Sequence, residues 1–179
     1  MIIMNVVMLG PPGVGKGTTA KNLSEKFGVP HISTGSVLRS EIENNTELGN
    51  QAKQFVDNGK LVPDELVTEM VKAKLNSNDA EKGFFLDGYP RTLAQAKALK
   101  EFAQISHVLN LSAPKKTIIE RIKGRKEGRS DDTPDIILKR IAEYEEKTLP
   151  LADFYRNEGI LIDIDSSQDV EGVMKQCVD

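Results

Sequence analysis

Met8-Leu9-Gly10-Pro11-Pro12-Gly13-Val14-Gly15-Lys16-Gly17-Thr18-Thr19 joins two different patterns. Before it, Ile2 to Leu9 is an apolar run broken only by Asn5, which reads as a buried strand. After it, Ala20, Leu23 and Phe27 recur at helical spacing. A strand, a glycine-rich turn and a helix start together form an anion site, because successive backbone N–H groups converge there and the helix dipole adds positive potential. Glycine leaves the backbone open to phosphate oxygens, and Lys16 adds a mobile charge suited to β- and γ-phosphates. One position departs from the general phosphate-loop pattern. Gly17 stands where a Ser or Thr would reach Mg²⁺, and threonines follow only at 18 and 19.

Outward from this loop, short apolar runs alternate with helix-length segments. Strands are expected at 2–9, 29–32, 83–86, 107–111 and 159–163. Helices are expected at roughly 17–27, 34–43, 47–57, 64–76, 92–102, 114–123, 134–157 and 169–177. Such alternation predicts an α/β fold, with a parallel sheet covered on both faces and ligands at the carboxyl ends of its strands. Two places break it. The chain between the second and third strands is longer than one crossover needs, which predicts a small helical lobe over residues 33–62, ended by Pro63 and Asp64 at the next helix start. Residues 123–134, with glycines at 124 and 128 and a proline at 134, read as a surface loop. Pro150 falls inside the longest helical pattern and predicts a kink near 146–150.

Composition narrows the class. At 179 residues, 39% hydrophobic and 28% charged, the chain suits one soluble globular domain. A net charge of −3 argues against nucleic-acid binding, so any anion site is local. Cys177 is the one cysteine, which allows no intrachain disulfide and no cysteine zinc cluster. No apolar run approaches the ~20 residues of a membrane span, and the N-terminal run enters the glycine loop without a basic leader. A cytoplasmic monomer with no nucleic-acid or membrane partner is the expectation.

A phosphate loop needs a carboxylate for its metal at the end of a neighbouring strand. Phe84-Phe85-Leu86-Asp87 ends in one, with Gly88-Tyr89-Pro90-Arg91 following. The chain has seven arginines, at 39, 91, 121, 125, 129, 140 and 156, set in the suspected lobe, loop and strand ends. Guanidinium groups grip phosphate bidentately and stack on flat rings. His31 and His107 lie in apolar strand contexts and read as structural. The absence of a histidine–carboxylate pair suits one chemistry. A phosphate acceptor is already anionic, so a protein need only position two anions and neutralise the migrating charge.

Taken together, Gly10-x-Pro12-Gly13-x-Gly15-Lys16-Gly17-Thr18, Ser33-Thr34-Gly35 with Leu38-Arg39, Gly59-Lys60-Leu61-Val62-Pro63, Leu86-Asp87-Gly88-Tyr89-Pro90-Arg91-Thr92, Arg129-Ser130-Asp131-Asp132 and Lys139-Arg140-Ile141-x-x-Tyr144 resemble the adenylate kinase family over nearly the whole chain. Gly17 is what that family carries. The resemblance implies a P-loop nucleoside triphosphate hydrolase-like three-layer fold with a five-stranded parallel sheet. It would be a single domain, with a core of 1–32, 63–124 and 133–179, a helical NMP-binding insertion at 33–62 and a short lid at 125–132. It also implies reversible transfer of the terminal phosphoryl group of ATP to AMP, giving two ADP, with Mg²⁺ arriving on ATP and no zinc.

Carried over by position, Gly13, Val14, Gly15, Lys16, Gly17 and Thr18 would wrap the ATP phosphates, Arg121 would stack on its adenine, and the Gln168 backbone would meet its edge. Thr34, Arg39, the backbone of Lys60, Leu61 and Val62, then Gly88, Tyr89, Pro90, Arg91 and Gln95 would hold AMP. Arg125, Arg129 and Arg140 would converge between the nucleotides, Arg125 also on the ATP side and the other two on the AMP side. Together with Lys16, Arg91 and Asp87 these arginines would be catalytic. Asp87 would order Mg²⁺ through its water shell, with no side chain as a direct metal ligand. Thr34 and Gln95 favour adenine over a UMP/CMP kinase reading, in which Ala typically stands where Thr34 does. A non-catalytic nucleotide sensor is the other alternative, and it would not need Arg39, Arg91 and Gln95 around a second nucleotide. Ser36 departs from the family's usual Asp. Activity is expected to survive, because losing a carboxylate favours anion binding.

Overall fold

Val6 and Met8 point to one face of a sheet, Val7 and Leu9 to the other, and all four are buried. Phe85 joins Val6 and Met8 while Phe84 and Leu86 join Val7 and Leu9. A strand buried on both faces reads as a continuous apolar run, which is what the sequence has at both places. The computed structural model describes residues 3–76, 78–124 and 133–179.

The chain runs β1 (Met4–Leu9), α1 (Lys16–Phe27), β2 (His31–Ser33), α2 (Thr34–Glu43), α3 (Glu47–Val56), α4 (Asp64–Leu75), β3 (Gly83–Asp87), α5 (Leu93–Phe102), β4 (His107–Ser112), α6 (Lys115–Lys123), α7 (Pro134–Glu143), α8 (Pro150–Asn157), β5 (Leu161–Asp165) and α9 (Val170–Val178). A short 3₁₀ turn, Asn78–Ala80, precedes β3, and a π-helical segment, Tyr144–Thr148, separates α7 from α8. The sheet order is β2-β3-β1-β4-β5, all parallel. The expected five-stranded α/β fold is therefore present. Helices cover both faces: Val67, Val71, Ala96, Leu99, Leu151 and Tyr155 pack on one, Ala20, Leu23 and Val173 on the other. No helix among the described residues is long and apolar enough to cross a membrane.

Several boundaries differ from expectation by a residue or two. The last strand begins at Leu161 and not at Gly159, because Gly159 takes a positive φ of 76° in the turn that ends α8. The second strand begins at His31, although the Pro30 carbonyl already accepts from Phe85 N at 2.9 Å. The helical pattern over 134–157 is two helices with five π-helical residues between them. Pro150 has no N–H for the Glu146 carbonyl. The backbone widens just before it, Leu149 N donating to Tyr144 O at 2.8 Å, and the proline falls at the start of α8.

Between β2 and β3, residues 33–62 hold the two helices α2 and α3. Ser33 Oγ caps α2 by accepting from Ser36 N at 3.3 Å, and Thr46 Oγ1 caps α3 by accepting from Gly49 N at 3.0 Å. Leu38, Ala52, Phe55 and Val62 pack into the same cluster as Leu86 and Tyr89. On the far side, Ile118, Ile122, Ile137 and Ile141 join α6 to α7. The expected short lid, 125–132, lies outside the described residues and takes Arg125 and Arg129 with it.

Candidate active site

Register sets the strand ends level. Asp87 pairs with Met8 of β1 on one side and Ser33 of β2 on the other, so the last residue of β3 stands beside the start of the glycine loop. Sequence order reverses across β1, whose neighbours are β3 and β4, and a crevice opens at the carboxyl ends of such strands. A cavity of about 880 Å³ occupies it, near the upper end of the ~300–1,000 Å³ range of ligand pockets.

The first wall is the loop. α1 starts at Lys16 with Gly15 as its N-cap and no side-chain cap, so its first-turn N–H groups have no partner within the helix. Gly13, Val14, Gly15, Lys16, Gly17 and Thr18 all border the cavity. The Lys16 ammonium donates to the Gly10 carbonyl at 2.8 Å and the Pro11 carbonyl at 3.0 Å. Beside it, His31 Nε2 lies 3.7 Å from Asp87 Oδ2, within ion-pair range and longer than a hydrogen bond. Burial works against ionising Asp87. The contact with His31 and the positive charges of Lys16, His31 and Arg91 outweigh it, holding the carboxyl below its ordinary 3.8.

The second wall comes from α2 and the segment after β3. Thr34 is buried and donates its hydroxyl to the Asp87 carbonyl at 3.2 Å. Gly88 has φ +88°, and a Cβ there would sit 2.3 Å from Thr34 Oγ1, so only glycine lets the chain turn against that hydroxyl. Arg91 Nε donates to Gly88 O at 2.8 Å, and Arg91 N donates to Gln95 Oε1 at 2.7 Å. Arg39 Nη2 donates to Ser36 Oγ at 3.2 Å. Lys60, Leu61, Val62, Pro90 and Gln95 also border the cavity. Tyr89 does not. Its ring is fully buried in the core and its hydroxyl meets Thr68 Oγ1 at 2.9 Å and Gln95 O at 3.3 Å.

Arg140 on α7 and Arg121 on α6 also border the cavity. Arg121 Nη1 donates to Val14 O at 3.1 Å and Nη2 to Gln168 O at 3.5 Å, so its guanidinium bridges the glycine loop and the β5–α9 turn. Arg156 is not part of this site; it pairs on the surface with Asp153 at 3.2 Å and Asp163 at 2.8 Å.

Among the described residues, the structure thus brings every expected site residue except Tyr89 to one cavity. It adds four that motif spacing did not single out. His31 sits beside Asp87 and is not a remote core histidine. Ser166 donates to Val14 O, and Thr148 donates to Arg91 O at 2.6 Å. Glu143 borders the cavity with Lys147 Nζ 3.0 Å from its Oε2. Nothing in the sequence pointed to Thr148 or Ser166, whose partners lie 57 and 152 positions away. Cys177 packs half-buried beside the second cluster, and burial pushes its thiol up.

The residues also fit a divalent cation. Asp87 offers a hard, ionised oxygen donor, and Gly17 leaves the space before it open, since even a Cβ would stand 3.5 Å from Oδ2. Among the described residues no three His, Cys, Asp or Glu side chains gather into a metal site. A cation that keeps most of its ligands as water and phosphate matches this donor set.

The sequence matches the family model described as Adenylate kinase over residues 8–160. It is 42% identical to an adenylate kinase of Archaeoglobus fulgidus, covering 97% of this chain and 95% of that one. It is 44% identical to an adenylate kinase of a Cyanothece species, covering 96% and 91%, and 47% identical to that of Mycobacterium bovis, covering 93% of each. A family match over most of the chain and relatives 42–47% identical over nearly its whole length agree, and the chain belongs to the adenylate kinase family.

Proposed function

We propose that the chain transfers the terminal phosphoryl group of ATP to AMP, reversibly, giving two ADP and balancing the adenine nucleotides. The observation that carries this is the single cavity with an anion-binding loop on one wall and Arg39, Arg91, Thr34 and Gln95 on the facing one. A protein that only bound or hydrolysed one nucleotide would have no use for that second wall.

In this reading the loop N–H groups and Lys16 hold the donor phosphates, and Arg121 presents its plane to the donor base. Thr34 and Gln95 hydrogen-bond the acceptor's adenine edge, which separates it from other bases because a wrong base would leave their polar atoms unpaired. Gln95 Oε1 already accepts from Arg91 N, so its amide N–H₂ is the group turned to the base. Arg39 and Arg91 hold the acceptor phosphate, and Arg140, with Arg125 and Arg129, neutralises charge between the two. The acceptor oxygen is anionic at neutral pH and needs no base to activate it.

The family's phosphoryl transfer implies a divalent metal. We assign Mg²⁺, held by water on Asp87, and no zinc. When bound, that ion supplies charge neutralisation at the transferring group. The same reading divides the chain into the core, the 33–62 lobe on the AMP side and the 125–132 lid, acting as a cytoplasmic monomer on free nucleotides. The net charge of −3 supports partners other than nucleic acid.

A coupled assay with MgATP and each of AMP, UMP, CMP and GMP tests the assignment. Transfer to AMP alone is expected. Preferential transfer to UMP or CMP would move the chain to the pyrimidine nucleotide kinases, and tight ATP binding with no transfer to any of them would make it a sensor.

A further inference from the structure

Thr148 ends the π-helical segment and is 7% exposed. Inside a regular helix a threonine hydroxyl turns back to the carbonyl one turn earlier. Here Tyr144 O is instead taken by Leu149 N at 2.8 Å, the wider π-type bond, and the Thr148 hydroxyl crosses to another part of the chain. It donates to the backbone carbonyl of Arg91 at 2.6 Å, a contact spanning 57 positions. On the other side of the same residue, Arg91 N donates to Gln95 Oε1 at 2.7 Å. Both polar groups of the Arg91 peptide backbone are therefore clamped by side chains, one from α5 and one from the π-helical segment.

We propose that Thr148 is a positioning residue for phosphoryl transfer, fixing the backbone from which Arg91 reaches the acceptor phosphate. The proposal rests on the reading that Arg91 grips that phosphate. Arg91 lies between the buried Tyr89 and the start of α5, and its Nε donates to Gly88 O while its backbone N and O are each met by a side chain. A guanidinium on a flexible stem delivers a bidentate grip only if its base is held, because misplacement of a positioning group by about 1 Å costs up to ~10²-fold in rate. The π-helical widening is what brings Thr148 into reach. It also ties the α7–α8 unit, which carries Arg140, to the segment carrying Arg91, so the two arginines keep a common frame.

The test compares T148V, T148A and T148S in the wild-type and R91A backgrounds, measuring kcat and KM for AMP and for ATP. T148V removes the hydroxyl at nearly constant volume, and T148A serves if the extra methyl is not accommodated. Expected are a roughly tenfold loss of kcat/KM for AMP in T148V or T148A, an ATP KM within about twofold of wild type, recovery of most of the loss in T148S, and no further loss when T148V is added to R91A. Equal losses in T148S and T148V, a rise in the KM for ATP as large as that for AMP, or the same loss again in the R91A background would make Thr148 a structural brace and overturn the proposal. A crippled R91A beside an indifferent T148V would overturn the positioning role alone. Wild-type AMP kinetics in R91A would overturn the reading of the phosphate site and this proposal with it.

Discussion

Arg91 is exposed yet held at Nε, at N and at O by three different partners. Side chains placed this way serve a ligand more than the fold. R91A is expected to lower kcat/KM with AMP by about 10²–10³-fold, the scale for losing one preorganised donor to migrating charge. Its thermal midpoint should barely move, since an exposed substitution is worth within about 0.5 kcal/mol; assay and melting curve together check this. Asp87 behaves differently. Its folded pKa is depressed, so the stability it contributes is complete above 3.8 and is lost as pH falls below that value. D87N mimics the neutral form. Urea midpoints of wild type and D87N should therefore differ at pH 5 and converge as pH drops through and below 3.8. That Lys16, Asp87 and Arg91 meet at one cavity could be read in the sequence because each sits in a short motif of specific spacing. His31, Thr148 and Ser166 could not, because each meets its partner across at least 50 positions and its own neighbours spell only strand, helix or turn.

Elements were legible to within a residue or two wherever a periodic pattern met a cap. Ser33, Thr46 and Thr92 each cap the helix that the apolar spacing predicts, and α2 has the expected bounds. The failures sit where backbone hydrogen bonding, and not side-chain pattern, decides: the π-helical segment before Pro150 and the late start of β5. Pattern also says nothing of how tightly two helices approach. Gly49 of α3 lies so close to α2 that a Cβ would stand 2.0 Å from Glu41 O, a backbone atom that cannot turn aside. G49A must push α2 and α3 apart, at a cost of about 1–3 kcal/mol for overpacking. That corresponds to a thermal midpoint lower by roughly 2–4 °C per kcal/mol. Because α2 carries Thr34 and Arg39, the KM for AMP should rise while the KM for ATP, set by the loop and α6, stays near wild type. Equal rises in both would show that the helix pair does not belong to the AMP wall.

At the scale of the molecule, the cavity is assembled from parts that fold as separate stretches of chain: the β1–α1 loop, α2, the segment after β3, α6, α7 and the β5–α9 turn. On the proposed reading, only a ligand long enough to touch the loop and the Arg39–Arg91 wall at once engages both anion sites. Stabilisation by a ligand that binds only the folded state grows as the logarithm of its concentration over its Kd, reaching about 4 kcal/mol at a thousandfold excess. A bisubstrate analogue, two adenosines joined through a phosphate chain, gains from having its second half delivered at high effective concentration once the first has bound. It should raise the thermal midpoint well beyond ATP or AMP at the same concentration, and more than the two mixed. R91A should cut the analogue's shift back towards that of ATP alone and leave the ATP shift intact, since the loop and Arg121 are untouched. An analogue that stabilises no more than ATP would mean that the two walls do not serve one transfer reaction. The cavity would then hold one nucleotide, and the arginines facing the loop would need another explanation.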